Sequence, residues 1–205
     1  MEINDFYDPM APYYHLLFPD WEATIERQAS QLDSIIREIW EDKIHTILDA
    51  ACGIGTQSIG LARLGYQIDA SDISTGPLER AKKEAAARNI EIRFRQADFT
   101  RLYSTHNKEF DLVIACDNAI PHLLSDDEIR NAFVEMRRCM KPGGGLLISM
   151  RDYDPEESGI KVVPYGVRKQ DGKKYIVFQV WEYTGRIYDL SMYFLEDTGS
   201  ECIAH

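Results

Sequence analysis

Between residues 44 and 150, short apolar runs alternate with segments of helical periodicity, and this alternation restricts the fold more than any other feature. Strands are read at about 45–50, 66–70 and 91–95, at "FDLVIAC" (110–116) and at "LLISM" (146–150). Helices are read at about 56–64, at "STGPLERAKKEAAARN" (74–89) and after "SDDE" (125–128). Pro77 in a first turn and Asn89 as a stop frame the second of these helices, and "SDDE" is a capping box for the third. In the third, Ile129, Phe133, Met136 and Met140 share one face, and "KPGGG" is read as its end. Strands alternating with helices predict a parallel sheet covered on both sides. "FDLVIAC" is apolar throughout, as a strand buried on both faces must be. The expected class is α/β, doubly wound and mainly parallel, with helices on both faces.

The pattern differs at the two ends. Residues 1–20 form an arm rich in aromatics and proline, and a helix follows over about 21–40. Asp20 is its expected N-cap, and Ile25, Ala29, Leu32, Ile36 and Ile39 form its apolar face. Beyond Met150, three strands with turns at Asp171-Gly172 and Thr184-Gly185 predict an antiparallel insertion. The expected divisions are therefore 1–43 (arm and helix), 44–150 (nucleoside-binding core) and 151–205 (antiparallel strands).

Charge and cysteine usage narrow the partners. Net charge is −11, and an acidic surface repels phosphate backbones, so nucleic acid is not an expected partner. No apolar run approaches 18 residues, so no membrane span is expected. Cys52, Cys116, Cys139 and Cys202 lack C-x-x-C spacing, which predicts reduced thiols in a cytoplasmic protein and no metal centre. The N-terminus has no apolar signal region.

The turn in "ILDAACGIGTQSIGLARLGYQIDASDIS" (47–74) carries the functional signal. Glycine at 53 and 55, just past a strand, lets a ligand approach the backbone closely. A P-loop would need a lysine after the turn, where Thr56-Gln57 stands. A dinucleotide fingerprint would need glycine at 58, where Ser58 stands, and Gly60 is out of register. The remaining reading is a nucleoside without a pyrophosphate. Asp72, 19 residues past Gly53, is placed to accept from both ribose hydroxyls.

These residues resemble the first two motifs of Rossmann-fold methyltransferases that use S-adenosylmethionine (SAM). Asp49, Cys52, Gly53 and Gly55 match the family pattern, with Ala51 in place of its first glycine. "QADFT" (96–100), "FDLVIACDNAIPHL" and "MRRCMKPGGGLLIS" resemble the loop after strand three and the fourth and fifth strand regions. The likeness covers about Thr46 to Ser149 and implies a Rossmann-like core with SAM as cofactor. It implies ribose at Asp72 with Ile73 beside it, adenine at Asp98 and Phe99, and the methionine end near Ala115, Cys116 and Asn118.

"CDNAIPHL" and "ISMRDYD" are further similar to glycine and sarcosine N-methyltransferases. That likeness implies an acceptor carboxylate held by Arg151 and an amine facing Asn118. The alternative for Arg151 is a surface ion pair with Asp152 or Asp154, and for Asn118 a strand-end turn. Tyr13, Tyr14 and Trp21 of the arm suit a sulfonium methyl, with plain packing as the alternative, and Tyr14 is carried forward as a catalytic candidate. Arg27 is a candidate for SAM's carboxylate. His122, in a turn before a helix, is either a proton acceptor or a packed residue. Chains of that group continue into one more helix and a strand pair, whereas this sequence ends at His205. The expected activity is methyl transfer to the amine of glycine, sarcosine or a similar small molecule carrying a carboxylate. The rivals are another methyl acceptor, a dinucleotide-dependent oxidoreductase, and a SAM-binding protein without activity. A homo-oligomer is compatible with the sequence.

Overall fold

The computed structural model describes residues 3–153, 158–185 and 187–205. The chain divides into two compact units, one of residues 1–11 and 22–151, the other of residues 12–21 and 152–205.

The first unit holds a five-stranded parallel sheet. Its strands are β1 (Thr46–Asp49), β2 (Gln67–Asp72), β3 (Arg93–Gln96), β4 (Phe110–Ala115) and β5 (Met140–Ile148), in the order β3-β2-β1-β4-β5. Helices α1 (Ile3–Met10), α2 (Trp21–Trp40), α3 (Thr56–Arg63), α4 (Thr75–Ala87), α5 (Leu102–His106) and α6 (Asp126–Arg138) complete the unit, apart from Trp21 at the start of α2.

Strand alternation builds the core on both faces of the sheet. Ile47, Leu112 and Ile114 pack with Leu32 and Ile36 of α2, Leu61 of α3 and Leu78 of α4. Their neighbours Leu48, Val113 and Ala115 pack on the opposite side with Leu102 of α5 and Ala132 and Met136 of α6. Burial of each large aliphatic side chain contributes roughly 1.5–3 kcal/mol, so this two-sided pattern dominates the stability of the unit. The edge strand β3 carries Arg93 and Arg95, both exposed, which blunts edge-to-edge pairing.

The expected end signals operate. Ser125 and Glu128 form the capping box of α6. Asn89 (φ 54°) closes α4, with Ile90 N–H donating to Ala85 O at 3.0 Å.

Several local expectations are corrected. The buried face of α6 is Ala132, Glu135 and Met136, while Phe133 is exposed. Glu135 is tolerated inside because it accepts from Tyr103 N–H and pairs with Arg138. Ile39 is exposed at the end of α2. "KPGGG" is part of β5, not a stop. Trp40 requires the glycine there, because a Cβ on Gly145 would lie 2.2 Å from its indole. Strand β2 runs on to Asp72, where the sequence suggested an end near 70.

Gly60, which falls outside any dinucleotide register, has a packing role. A Cβ there would lie 2.6 Å from Ala29 Cβ and 2.8 Å from Ile25 O, so the missing side chain is what lets α3 lie against α2.

The second unit is a four-stranded antiparallel sheet, β6 (Gly159–Gln170), β7 (Lys173–Thr184), β8 (Ile187–Asp197) and β9 (Cys202–Ala204), in that order. The three expected strands are present, and β9 was not foreseen. Asp171 (φ 51°) and Gly172 (φ 77°) make the two-residue turn of the first hairpin. Residues 12–21 pack on one face of this sheet. Tyr13 stacks on His205 and Phe194 at 4.5 and 5.8 Å, His15 bonds Gln170 at 2.6 Å, and Arg168 donates to Phe18 O at 3.2 Å.

Candidate cofactor and acceptor site

Strand order reverses between β1 and β4, and a parallel sheet opens a crevice at the carboxyl ends of the strands at such a point. The first-motif residues stand there. Asp49 at the tip of β1 is fully buried, accepts from Ser58 Oγ at 2.6 Å and bonds the Ala51 backbone. Burial pushes its carboxyl up to about 7, with Ser58 opposing. The turn that follows is clamped to β2, with Cys52 N–H donating to Ser71 O at 2.9 Å and Gly53 N–H to Asp72 Oδ2 at 2.8 Å. Gly53 has φ 52°, and nothing lies within 4 Å of the Cβ it lacks. The turn therefore presents bare backbone to open space, which is the form a ligand cradle needs.

Asp72 is held from both sides. Its second oxygen accepts from Ser74 N–H at 2.9 Å. Burial raises its pKa, and the two N–H groups act against that rise. Each oxygen spends one lone pair on the backbone, which fixes the carboxylate while acceptor capacity remains for a diol. Ile73 follows it, and Gln96 donates to Ile73 O at 2.9 Å, tying the β3 tip to the β2 tip. Asp98 caps the next turn through Thr100 N–H at 2.7 Å, with Phe99 packed partly against the core.

Across the crevice, Cys116 is buried and its thiol is pushed up to about 12 by that burial. Asp117 and Asn118 both take left-handed backbone, φ 61° and 67°. Two such residues in succession are strained and need outside support. Asn118 N–H donates to Ser149 O at 3.2 Å, Asp117 N–H donates to Ser149 Oγ at 3.0 Å, and Asn118 Oδ1 accepts from Arg151 N–H at 2.5 Å. The end of β4 is thereby joined to the chain leaving β5. His122 follows in a short turn, and its Nε2 bonds Tyr7 of α1 at 2.9 Å. The same helix is fixed to the start of α4, where Asp8 accepts from Gly76 N–H at 2.7 Å and from Thr75 Oγ1 at 3.0 Å.

Comparison with known proteins gives this crevice a family. A methyltransferase-domain model matches residues 47–144. The glycine/sarcosine N-methyltransferase of Parasynechococcus marenigrum is 33% identical over 147 residues, covering 72% of this chain and 51% of that one. The chain belongs to the Rossmann-fold SAM-dependent methyltransferases. Among solved structures, DesVI of Streptomyces venezuelae superposes with TM-score 0.82 at 17% identity, covering all of this chain and 82% of that one. SAM-bound CalS10, an amino pentose methyltransferase of Micromonospora echinaspora, gives 0.76 at 19% identity with the same coverages. These two likenesses speak to fold. The chain spans about half the length of the first three curated relatives it matches, from 49% to 59%.

Within this methyltransferase, Asp49, Ala51, Gly53, Gly55, Asp72, Ile73, Asp98, Phe99, Cys116, Asn118 and Arg151 all belong to the first unit. Tyr14 belongs to the second, in the turn Tyr14–Leu17. Asp154 lies outside the described residues. Arg27 is exposed, with a 3.4 Å contact to Thr24 Oγ1. Sequence reasoning missed three residues. Ser58 was read only as an absent glycine and is the donor to Asp49. Tyr7 and Asp8 carried no signal, because nothing in a single sequence brings α1 to His122 or α4.

Proposed function

We propose that this chain transfers the methyl group of SAM to the amine of a small molecule, with glycine, sarcosine or a similar amino acid as acceptor. The observation that supports the reading is the hydrogen bond from Arg151 N–H to Asn118 Oδ1, just past the ends of β4 and β5, with Arg151 exposed. The names of the first three relatives, all glycine/sarcosine N-methyltransferases at 27–33% identity, support the same acceptor.

SAM supplies a methyl group already activated by its sulfonium charge. The chain then has to bind, orient and exclude water. Asp72 accepts from the ribose hydroxyls, Asp98 and Phe99 receive the adenine, and Asp49 holds the turn from beneath. Arg151 engages the acceptor carboxylate through its guanidinium, which fixes the amine in direction as well as place. The Asn118 carbonyl oxygen accepts from Arg151 N–H, which holds the amide beside the Arg151 backbone.

The test is methyl transfer from labelled SAM to a panel holding glycine, sarcosine, an amino sugar, a phenol and a thiol, repeated with Arg151→Ala. Removing a charge-assisted hydrogen bond costs about 1.5–3 kcal/mol, so KM for glycine should rise roughly ten- to 150-fold while SAM affinity holds. Label on a different acceptor with none on glycine or sarcosine overturns the acceptor. Failure to bind SAM overturns the whole reading.

A further inference from the structure

Carboxylates stand at or just past the carboxyl ends of β2, β3 and β4: Asp72, Asp98 and Asp117. The first two are held by backbone N–H groups, Asp72 by Gly53 and Ser74 and Asp98 by Thr100. Asp117 is different. Its own N–H donates to Ser149 Oγ, but its carboxylate accepts no hydrogen bond and joins no ion pair among the described residues. Local structure therefore gives no reason for a carboxylate at this position. The backbone disfavours any side chain there, because at φ 61° glycine is unstrained and a residue with a Cβ is not. A strained residue whose side chain does nothing for the turn points to a ligand.

The surroundings of Asp117 say which kind. The residue is exposed, yet desolvation by the protein around it raises its pKa, with the Arg151 charge acting against that rise. A side chain open to solvent and still desolvated lies in a concavity, not on a convex surface. The Arg151 charge reaches Asp117 without closing an ion pair onto it. The backbones that carry the two charges are tied together. Arg151 N–H donates to Asn118 Oδ1, while Asn118 N–H and Asp117 N–H both donate to Ser149. A cation and an anion are thus fixed near one another and do not neutralise each other by contact. That arrangement suits a ligand that carries both charges in the opposite sense.

We infer that Asp117 binds the ammonium group of the methyl acceptor while Arg151 engages its carboxylate, and that Asp117 thereby selects zwitterionic amines over hydroxyl and thiol acceptors. The inference rests on the amino-acid acceptor proposed above and gives its nitrogen a partner. Selection follows from charge. An ammonium compensates the carboxylate and donates charge-assisted hydrogen bonds to it, whereas a hydroxyl of the same shape donates one bond and leaves the charge in place.

Calorimetry on the full chain saturated with S-adenosylhomocysteine tests it, alongside methyl-transfer assays. In Asp117→Asn the Kd of glycine should rise roughly ten- to 150-fold. Glycolate keeps the carboxylate and replaces the amine by a hydroxyl. It should bind this variant as tightly as wild type or more tightly, because a negative charge has gone. General damage to the site would weaken both ligands, so equal losses for glycine and glycolate overturn the inference, as does a glycine Kd within threefold of wild type. Asp117→Gly suits the left-handed backbone, so it should show the same loss of glycine without a lower melting temperature; glycine affinity retained there also overturns the inference. The acceptor reading is separable. If wild type methylates glycine and Asp117→Asn does so with unchanged KM, the role of Asp117 falls and the acceptor stands. If wild type methylates a different amine, glycine falls as acceptor, and that amine and its hydroxyl counterpart should show the same contrast in Asp117→Asn. Label only on a phenol or a thiol overturns both.

Discussion

Asp72→Asn probes the joint between turn and ribose. The carboxylate accepts from Gly53 N–H on one oxygen and from Ser74 N–H on the other. An amide retains one acceptor and turns an NH₂ toward the second N–H, which then loses its partner. That costs roughly 1–3 kcal/mol of stability, read as a fall in the denaturant midpoint. The ribose diol also loses one charge-assisted acceptor, about 1.5–3 kcal/mol, so the SAM Kd by calorimetry should rise roughly ten- to 150-fold. The two effects separate with a 2′,3′-dideoxy analogue of S-adenosylhomocysteine. If the carboxylate holds the sugar, Asp72→Asn should weaken the parent nucleoside far more than the dideoxy analogue. Equal losses for both ligands, or a Kd within threefold of wild type in a folded variant, would refute the ribose assignment.

The remaining predictions concern buried groups and packing. His106 is buried, stacks edge-on to Phe110, and neither ring nitrogen has a partner among the described residues; burial lowers its pKa to about 4, with Asp69 opposing and Arg95 and Lys108 reinforcing. The unfolded chain takes up the proton first, so His106 costs stability as pH falls from about 6.5 toward 4, roughly 2 kcal/mol by pH 5. In His106→Leu that loss disappears from urea titrations, and an unchanged acid slope would count against it. Asp49 acts in the opposite direction: its pKa is raised from 3.8 to about 7, so its contribution is full below 3.8 and lost as pH rises through 7. The two partly cancel in wild type, so Asp49→Asn should reveal the steeper acid loss due to His106, and a profile unchanged by this substitution refutes the shift. Gly60→Ala should lower Tm by roughly 2–8 °C, because a clash with Ile25 O outweighs the helix propensity gained; a neutral or stabilising result would show that α3 and α2 can separate freely.

Much of the first unit was legible because its signals are local. Alternation in Ile47–Leu48 and in Leu112 to Ala115, the turn glycines, Asn89 and the Ser125–Glu128 box each act within a few residues. The misreadings arose where a distant partner decides. Phe133 is more apolar than Glu135, yet Glu135 is inside because Tyr103 N–H and Arg138 meet it there. "KPGGG" has the composition of a stop, and only Trp40, a hundred residues away in the chain, explains its glycines as strand. Strand β9, three residues long, is too short for any periodicity to appear. At the site, Asp72 and its role at the strand end were readable, but the two N–H groups that hold it were not.

The hydroxyl at position 58 also limits what this scaffold can be engineered into. Exchanging Ser58 for glycine would complete the G-x-G-x-x-G spelling on paper. It would also strip the side-chain donor from a carboxyl group that is almost fully buried. A redesign toward nicotinamide or flavin chemistry would therefore have to replace Asp49 in the same step, and repack the layer beneath the first strand before any new ligand could be tried.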